Sequence, residues 1–481
     1  MNKILDRTAK KYLLINGEKV ETANYAPLYS PYSREQIADI AMADATLTKQ
    51  AITAAYEAKD IIGEMPAYQR AQILEDVVKI LTDRAEEAAT IISTESAKPI
   101  VFAKAEVART IETYKFSAEE AKRIQGETIP FDAASGGVGR IGYTIKEPIG
   151  VIGAITPFNF PLNLVAHKVG PAIAAGNSIV LKPASQTPLS ALFIAEVFEE
   201  AGLPAGVLNV VTGPGGVVGE AMVEDDRVKM VTFTGSPRVG IGISNKAGLK
   251  KTTLELGSNS ALIIDKDVEI DEIIDRCVMG AFSNQGQVCI SLQRVYVHED
   301  RYEEFVEKFA TATKQLKMGD PLDSETYISS LITPGELERT LGWIEETKQS
   351  NATILTGGEA QDGILEPTII TDADSCLKVS CQEVFAPIVV VNKIASVEEA
   401  VNLVNDSQFG LQAGIYTNNV KHALYASKKL EVGGVMINDV PTYRVDQMPY
   451  GGLKDSGTGR EGIKYAVEEM TELKLIVWNQ G

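Results

Sequence analysis

The chain carries, at residues 150–183, the stretch GVIGAITPFNFPLNLVAHKVGPAIAAGNSIVLKP. An apolar run of strand length at 150–155 is followed by a segment with helical spacing and by a second apolar run at 178–182. The alternation continues with apolar runs at 207–211, 228–233 and 251–256. Strands that alternate with helices are typical of βαβ units, so this region is predicted to form a parallel, doubly wound sheet.

Two further regions flank this alternation. Before it, the sequence predicts a strand at 12–20 and three helices at 44–60, 67–95 and 98–124. After it, a second α/β pattern begins near Ser258, with strands at 260–265, 294–298 and 387–391. Because no Ser- or Gly-rich linker separates the two halves, they should pack tightly, with a functional site between them.

The composition excludes several classes of protein. With 44% hydrophobic and 23% charged residues in 481, the chain has an ordinary globular balance. Its net charge of −19 argues against nucleic acid as a partner, because phosphate binding needs clustered Lys and Arg. No run of about 18 apolar residues predicts a membrane span, and the basic N-terminus lacks the apolar run of a signal peptide. Four cysteines are too sparse for a disulfide framework, so we expect a cytoplasmic protein. No set of residues in the sequence predicts a metal site.

One cysteine has a distinctive context. Cys289 ends the segment Ser283-Asn284-Gln285-Gly286-Gln287-Val288-Cys289, between a Gly-containing turn and a β-branched run. A thiolate there would be a nucleophile, whereas the alternative is a small buried hydrophobic residue. We adopt that alternative for Cys277, Cys376 and Cys381.

A carboxylate and an amide complete a candidate catalytic set. Glu255 interrupts an apolar strand segment and could act as a general base, or it could simply face solvent. Asn159 follows a strand and precedes Pro161, which fits the first turn of a helix. Its amide could donate to an oxyanion together with the backbone N–H of Cys289, or it could cap the helix. A thiol and a carboxylate base are the two groups needed to oxidise an aldehyde through a thioester and then hydrolyse it.

Short motifs in this order resemble the NAD(P)-dependent aldehyde dehydrogenase superfamily, from about residue 12 to the C-terminus. Besides the Cys289 and Glu255 segments, they are Pro157-Phe158-Asn159-Phe160-Pro161, Leu181-Lys182-Pro183-Ala184-Ser185, Phe233-Thr234-Gly235-Ser236, Glu383-Val384-Phe385 and Pro449-Tyr450-Gly451-Gly452. The resemblance implies a Rossmann-like coenzyme domain (1–124 and 146–256), a catalytic α/β domain (257–447) and a small β oligomerisation arm (125–145 and 465–481). It also implies a homodimer or homotetramer, in which the tail strand at 472–478 pairs with a partner subunit.

The resemblance assigns the catalytic roles as well. Cys289 would attack the aldehyde, Asn159 would hold the oxyanion, and Glu255 would direct water onto the thioester. The presence of Glu255 favours hydrolysis over the acylating alternative, in which the acyl group passes to coenzyme A. A non-catalytic scaffold would be expected to have lost Cys289 or Glu255.

The expected cofactor is NAD or NADP. By resemblance, Lys182 binds the adenosine ribose, and Glu383 and Phe385 bind the nicotinamide ribose and pack by the ring. Thr234-Gly235-Ser236 ends a strand and opens a helix, whose N-terminus can receive a pyrophosphate oxygen. NAD-preferring relatives often carry Glu at the position of Ser185, where it repels a 2′-phosphate. The small neutral Ser185 therefore predicts that NADP is accepted.

Four polar residues are assigned to the substrate tunnel. Asn163 and His167 lie four and eight residues past Asn159, on one face of a helix. Register from the family motifs places Arg109 against the same tunnel and Arg444 on its mouth loop. Each could instead be a surface arginine or a satisfied histidine.

Because Arg presents a fork suited to acidic groups, the tunnel predicts a small anionic aldehyde. Phosphonoacetaldehyde, glyceraldehyde 3-phosphate, sulfolactaldehyde and succinic semialdehyde fit this description. A lactaldehyde dehydrogenase and a broad-specificity enzyme for apolar aldehydes remain the alternatives.

Overall fold

The alternation that begins at Gly150 forms the centre of an eight-stranded sheet in the computed structural model, which describes residues 10–481. The absence of a signal peptide was predicted largely from residues before 10, which lie outside this range. Five parallel strands form the sheet centre, in the spatial order Lys251–Glu255, Val228–Thr234, Val151–Ile155, Ser178–Lys182 and Leu208–Val210. Antiparallel strands complete the edges, with Gly457–Thr458 at one side and Leu13–Ile15 and Glu18–Val20 at the other.

The strand order reverses at Val151–Ile155. Its neighbour on one side is the next strand along the chain, and its neighbour on the other side is Val228–Thr234. In doubly wound sheets, ligands bind outside the carboxyl ends of the strands at such a switch point. The fold therefore places a binding cleft beside Thr156 and Thr234, and the predicted α/β, doubly wound fold class is confirmed.

Two local predictions are wrong. The region 12–20 is a hairpin rather than one strand, because Asn16 and Gly17 both have positive φ (55° and 74°) and form the tight turn that an Asn-Gly pair favours. The region 67–95 contains two helices, because Arg84 leaves the helical conformation at φ −106° and ψ 19°.

Helices cover both faces of the eight-stranded sheet or extend beside it. In this half they are Ala45–Gly63, Ala67–Asp83, Ala85–Ser96, Ile100–Ala121, Asn163–Ala175, Pro188–Glu200, Glu220–Glu224, Pro237–Ala247 and Ile463–Glu469. Every residue of Asn163–Ala175 is buried, so this helix lies wholly inside the molecule, including His167 and Lys168. None of the helices within residues 10–481 is long and apolar enough to cross a membrane.

A seven-stranded sheet forms the second half. Its spatial order is Thr353–Thr356, Thr368–Thr371, Ile388–Ile394, Arg294–His298, Ala261–Ile264, Gln412–Tyr416 and Gly434–Ile437, and only the first pair is antiparallel. The helices of this half are Ile274–Phe282, Glu299–Thr313, Pro334–Lys348, Lys378–Cys381, Val397–Asn405 and Val420–Lys429. Short strand pairs at Ala360–Gln361 with Ile364–Leu365 and Phe409–Gly410 with Leu453–Lys454 lie outside it, as do Lys10–Lys11, Tyr25–Tyr29 and Gln36–Ala41, which form a separate sheet.

The predicted tail strand pairs within its own chain. Thr471–Asn479 runs antiparallel to Arg140–Pro148 over its full length, and Thr128–Ile129 adds a third strand. The tail strand is the edge of this arm, so pairing with a partner subunit would use its open side. Exposed apolar side chains line the arm: Ile141, Tyr143, Leu473, Leu475, Val477 and Trp478.

Candidate active site

Cys289 follows a backbone turn that is held in a rare conformation. Asn284, Gln285 and Gly286 have φ of 50°, 54° and 69°, consecutive left-handed values that persist only where the surroundings enforce them. Gln285 supplies part of that enforcement, because its Nε2 donates to the carbonyls of Ala97 (2.9 Å) and Ser330 (3.1 Å). Gly286 is required, since a Cβ there would lie 2.2 Å from the Ala386 carbonyl oxygen.

The Cys289 sulfur is partly shielded from solvent and has one hydrogen-bond partner. Its Sγ lies 2.8 Å from the hydroxyl of Tyr450. Burial raises the pKa of the Cys289 thiol to about 11, while the Tyr450 hydrogen bond and the charge of Arg444 act in the opposite direction. The thiol is therefore protonated at rest and needs assistance to ionise.

Asn159 lies across from the turn, as its position after the strand Val151–Ile155 predicts. Its Nδ2 donates to the Gln287 carbonyl at 3.0 Å, which leaves the second amide hydrogen of this group available. Its Oδ1 has no partner among residues 10–481. Asn159 and Cys289 line the same cavity.

Glu255 is a buried carboxyl group without hydrogen bonds. It ends the strand Lys251–Glu255, and neither carboxyl oxygen has a partner in the described part of the chain. Burial raises its pKa well above the ordinary value, the charge of Glu461 adds to this effect, and Arg444 and Lys168 oppose it. Once ionised, a carboxylate with a raised pKa is a stronger proton acceptor than an ordinary one. Gly451 makes the site possible, because a Cβ there would lie 2.9 Å from Glu255 Oε1.

A cavity of about 1100 Å³ opens at the switch point of the eight-stranded sheet. It is lined by six of the seven predicted cofactor residues: Lys182, Thr234, Gly235, Ser236, Glu383 and Phe385. Ser185 does not line it and is exposed in a turn, although its neighbours Ala184 and Gln186 do. Burial lowers the pKa of Lys182 to about 8 and raises that of Glu383 to about 8.

The cavity suits a dinucleotide. The helix Pro237–Ala247 begins at its wall, and the side chain of its N-cap, Ser236, makes no capping hydrogen bond. The first-turn N–H groups of a helix attract phosphate. At the opposite end, the aromatic ring of Phe385 packs edge-on against Phe158 at 5.7 Å and borders the space in front of Cys289.

Three of the four predicted tunnel residues converge on Asp446, a carboxylate that the sequence analysis missed. Arg109 donates to Asp446 Oδ1 at 2.8 Å, His167 Nε2 lies 2.8 Å from the same oxygen, and Asn163 Nδ2 lies 3.4 Å from it. Arg444 instead donates to Glu461 at 2.9 Å, and its guanidinium lies 3.6 Å from the centre of the Tyr450 ring. The predicted grouping of the four is thus observed, but both arginines already have acidic partners.

Glu461 and Lys168 form a buried ion pair next to this cluster. Lys168 Nζ donates to Glu461 at 2.9 Å and to the hydroxyls of Thr232 (3.1 Å) and Thr234 (2.8 Å). Lys168 and Arg444 hold the pKa of Glu461 below its ordinary value despite burial, so Glu461 is charged. The sequence signal that could have revealed this ion pair is Lys168 itself, the one Lys or Arg in a largely apolar helical segment.

The start of the helix Asn163–Ala175 depends on another missed carboxylate. Glu106 Oε1 accepts hydrogen bonds from the backbone N–H groups of Leu162 (2.9 Å) and Asn163 (3.1 Å). Its other oxygen pairs with the fully buried Lys98. Glu106 therefore positions the helix that carries Asn163, His167 and Lys168.

Comparison with known proteins identifies the family of the chain. Residues 19–476 match the aldehyde dehydrogenase family. The chain is 46% identical to a 3-sulfolactaldehyde dehydrogenase of Priestia aryabhattai (98% of each chain) and 42% identical to a lactaldehyde dehydrogenase of Methanococcus aeolicus (97% of this chain, 100% of the relative). A crystal structure of aldehyde dehydrogenase 21 from Physcomitrella patens, in complex with the reaction product succinate, superposes with a TM-score of 0.96 at 40% identity, covering 98% of this chain and 99% of the other.

The doubly wound sheet and its cavity define a dinucleotide-dependent oxidoreductase. More specifically, the chain belongs to the aldehyde dehydrogenase family, and it oxidises an aldehyde with NAD or NADP.

The electrostatics of His167 predict a pH-dependent stability. Burial first, and then the charge of Arg444, lower the pKa of His167 in the folded protein. Its ordinary pKa is about 6.5, so on acidification the unfolded chain binds a proton before the folded chain does. The His167 contribution is present above about pH 6.5 and is lost as pH falls toward the lower folded pKa. We expect wild type to lose stability relative to His167→Gln between pH 7.5 and pH 5, measured by urea unfolding. Parallel curves for the two proteins would contradict this assignment.

Proposed function

We propose that this enzyme oxidises a short aldehyde with an anionic group at its far end to the carboxylic acid, with 3-sulfolactaldehyde as the first candidate. The observation that carries the proposal is a pair of guanidinium groups with spare donors. Nε of Arg109 and Nε of Arg444 are both buried and have no hydrogen-bond partner in residues 10–481. Buried donors without partners are costly unless a ligand completes them. The sulfolactaldehyde dehydrogenase and the succinate complex among the relatives support an anionic substrate.

The charge of the cluster supports a monoanion. Three cations, Arg109, Arg444 and Lys168, are hydrogen-bonded to only two carboxylates, Asp446 and Glu461. The pKa of Asp446 is held far below its ordinary range by His167 and Arg109, although burial opposes this, so both carboxylates are charged. With His167 neutral, one positive charge remains for a bound sulfonate or carboxylate.

A second candidate substrate is lactaldehyde, which carries a hydroxyl and no charge. The specific observation in its favour is that each arginine already has a carboxylate partner, and such carboxylates accept hydrogen bonds from a hydroxyl. The lactaldehyde dehydrogenase relative supports this alternative.

The proposed chemistry uses three side chains. The Cys289 thiolate forms a bond to the aldehyde carbon, the carbonyl electron pair moves to oxygen, and the free amide hydrogen of Asn159 and the Cys289 backbone N–H stabilise that oxyanion. NAD or NADP, held by Lys182, Glu383 and Phe385, would supply the hydride acceptor that this oxidation to a thioester on Cys289 requires. Glu255 then removes a proton from water, the resulting hydroxide adds to the thioester, and the carboxylic acid departs as the thiolate is restored.

NADP should be accepted, because the turn that carries Ser185 presents no acid to a 2′-phosphate. Its neighbours Ala184 and Gln186, which line the cavity, are neutral as well. Among the residues assigned to the cofactor, Lys182 is the cation that could approach the 2′-phosphate. The proposal keeps the predicted roles of the other cofactor residues that line the cavity: Thr234, Gly235, Ser236, Glu383 and Phe385.

A homo-oligomer and a cytoplasmic location complete the proposal. The arm formed by Arg140–Pro148 and Thr471–Asn479 exposes a strip of large apolar side chains, including Trp478 at 61% exposure. Such a strip is expected to be covered by a second copy. Four unpaired cysteines are consistent with a reducing compartment.

The test of the substrate is a panel followed at 340 nm with NAD and with NADP. It compares sulfolactaldehyde, phosphonoacetaldehyde, glyceraldehyde 3-phosphate, succinic semialdehyde, lactaldehyde and propanal. We expect an anionic aldehyde to exceed propanal by about two orders of magnitude in kcat/KM, equivalent to about 2.7 kcal/mol. A kcat/KM for propanal equal to that of the anionic aldehydes would contradict the anion site. A preference for lactaldehyde would establish the second candidate substrate. A strong preference for NAD over NADP would contradict the cofactor assignment based on Ser185.

Arg109 offers a sharper test, because its side chain is 31% exposed and contacts the cluster through Asp446. Arg109→Leu should raise KM for the preferred anionic aldehyde more than tenfold, about 1.4 kcal/mol or more, and leave propanal unchanged. Arg123→Leu is the matched control, since Arg123 is exposed just beyond the same helix and pairs with Glu119. Equal losses of Arg109→Leu on both aldehydes would show a structural role instead.

Glu255→Gln should separate the two halves of the reaction. Thiolate attack and hydride transfer do not require this base, whereas hydrolysis does, so we expect one equivalent of NAD(P)H in a burst followed by turnover slowed about 100-fold or more. Stopped-flow absorbance at 340 nm measures both phases. Glu307→Gln, at an exposed helix position, should behave as wild type. Loss of the burst in Glu255→Gln would assign this carboxyl group to an earlier step.

A further inference from the structure

Tyr450 is the direct neighbour of the proposed nucleophile. Its hydroxyl is 2.8 Å from Cys289 Sγ, and the residue is only 3% exposed. The mechanism above gives this phenol no role. Among residues 10–481, its hydroxyl is nevertheless the hydrogen-bond partner of the sulfur.

The phenol is fixed from two directions. Tyr450 N donates to the Glu461 carbonyl at 3.0 Å, and Glu461 N donates to the Tyr450 carbonyl at 2.7 Å, so the backbone forms a two-bond bridge. The guanidinium of Arg444 lies over the ring at 3.6 Å from its centre. A hydroxyl held this firmly can impose a position on the sulfur.

The direction of the hydrogen bond follows from the groups around it. Charged or titratable groups that act on the sulfur are Tyr450, Arg444, Glu255 and Glu383. Burial raises the pKa of Tyr450 well above 10, so the phenol keeps its proton. Once Cys289 ionises, the phenol can only be the donor and the thiolate the acceptor.

We propose that Tyr450 is a further catalytic residue, whose hydroxyl donates a hydrogen bond to the Cys289 thiolate and holds the sulfur for attack on the aldehyde. This inference rests on the proposed function, in which Cys289 is the nucleophile. The thiol first loses its proton to solvent. The thiolate lone pair then forms the sulfur–carbon bond, the carbonyl electron pair moves to oxygen, and Tyr450 retains its proton throughout.

Tyr450→Phe removes only the hydroxyl and keeps the ring under Arg444. The measurement is the rate of iodoacetamide alkylation of Cys289 against pH, without cofactor, followed by mass spectrometry of the Cys289 peptide so that Cys376 and Cys381 do not contribute. A hydrogen bond to a charged acceptor is about twice as strong as a neutral one. We expect the apparent thiol pKa to rise by about one unit, and both alkylation at pH 7.5 and kcat/KM to fall about tenfold.

Tyr443→Phe is the matched control. Tyr443 lies in the same loop, is 43% exposed, and should show wild-type alkylation and kcat/KM. An unchanged alkylation profile in Tyr450→Phe would overturn the proposal, as would faster alkylation, which would mean that Tyr450 restrains a protonated thiol. Cys289→Ser separates the two hypotheses, because retained turnover in that variant would refute the proposed nucleophile rather than the role of Tyr450.

Discussion

The buried ion pair between Lys168 and Glu461 organises the site. Lys168 comes from a helix that is buried on every side, and Glu461 comes from a segment near the C-terminus. Removing two charges from water is expensive, and such a pair is tolerated only when further hydrogen bonds complete it. Here the two threonine hydroxyls of the strand Val228–Thr234 and the guanidinium of Arg444 supply them. The pair therefore fixes the helix, the strand end and the mouth loop with respect to one another.

This arrangement also sets the state of Glu255. Glu461 is ionised because two cations contact it, and its charge discourages a second carboxylate nearby from ionising. Among residues 10–481, no hydrogen bond to Glu255 offsets this effect. A structural ion pair thus contributes, through the charge of Glu461, to the raised pKa of the proposed general base.

The sequence predicted those parts of the structure that leave a local pattern of residues along the chain. The alternation of strands and helices specified the doubly wound sheet, because burial on both faces produces long apolar runs. The cavity residues Lys182 and Glu383 were identified because they lie in short local motifs. The Asn16-Gly17 turn was missed although its signal is local and strong.

Asp446 and Glu461 were missed for a different reason. A carboxylate in a loop has no periodicity, and its burial against Arg109, His167 and Lys168 arises only from the tertiary structure. These carboxylates change the expected charge of the tunnel, because they partly neutralise the arginines that the sequence analysis assigned to anion binding. The net charge of a pocket can be determined only when both its cationic and its anionic side chains have been located.

The contact between Gly286 and the Ala386 carbonyl has a mechanical consequence. The turn before Cys289 and the segment that carries Glu383 and Phe385 leave no room for even a methyl group between them. Gln293 ties the same segment down further, because its side chain bonds to the backbone of Val379, Gln382 and Val384. The end of the cavity beside Cys289 is therefore tightly packed, whereas Gly215 and Gly216, which also line the cavity, have open space around them. We therefore expect the proposed coenzyme to enter and leave past Gly215 and Gly216, away from the Cys289 sulfur.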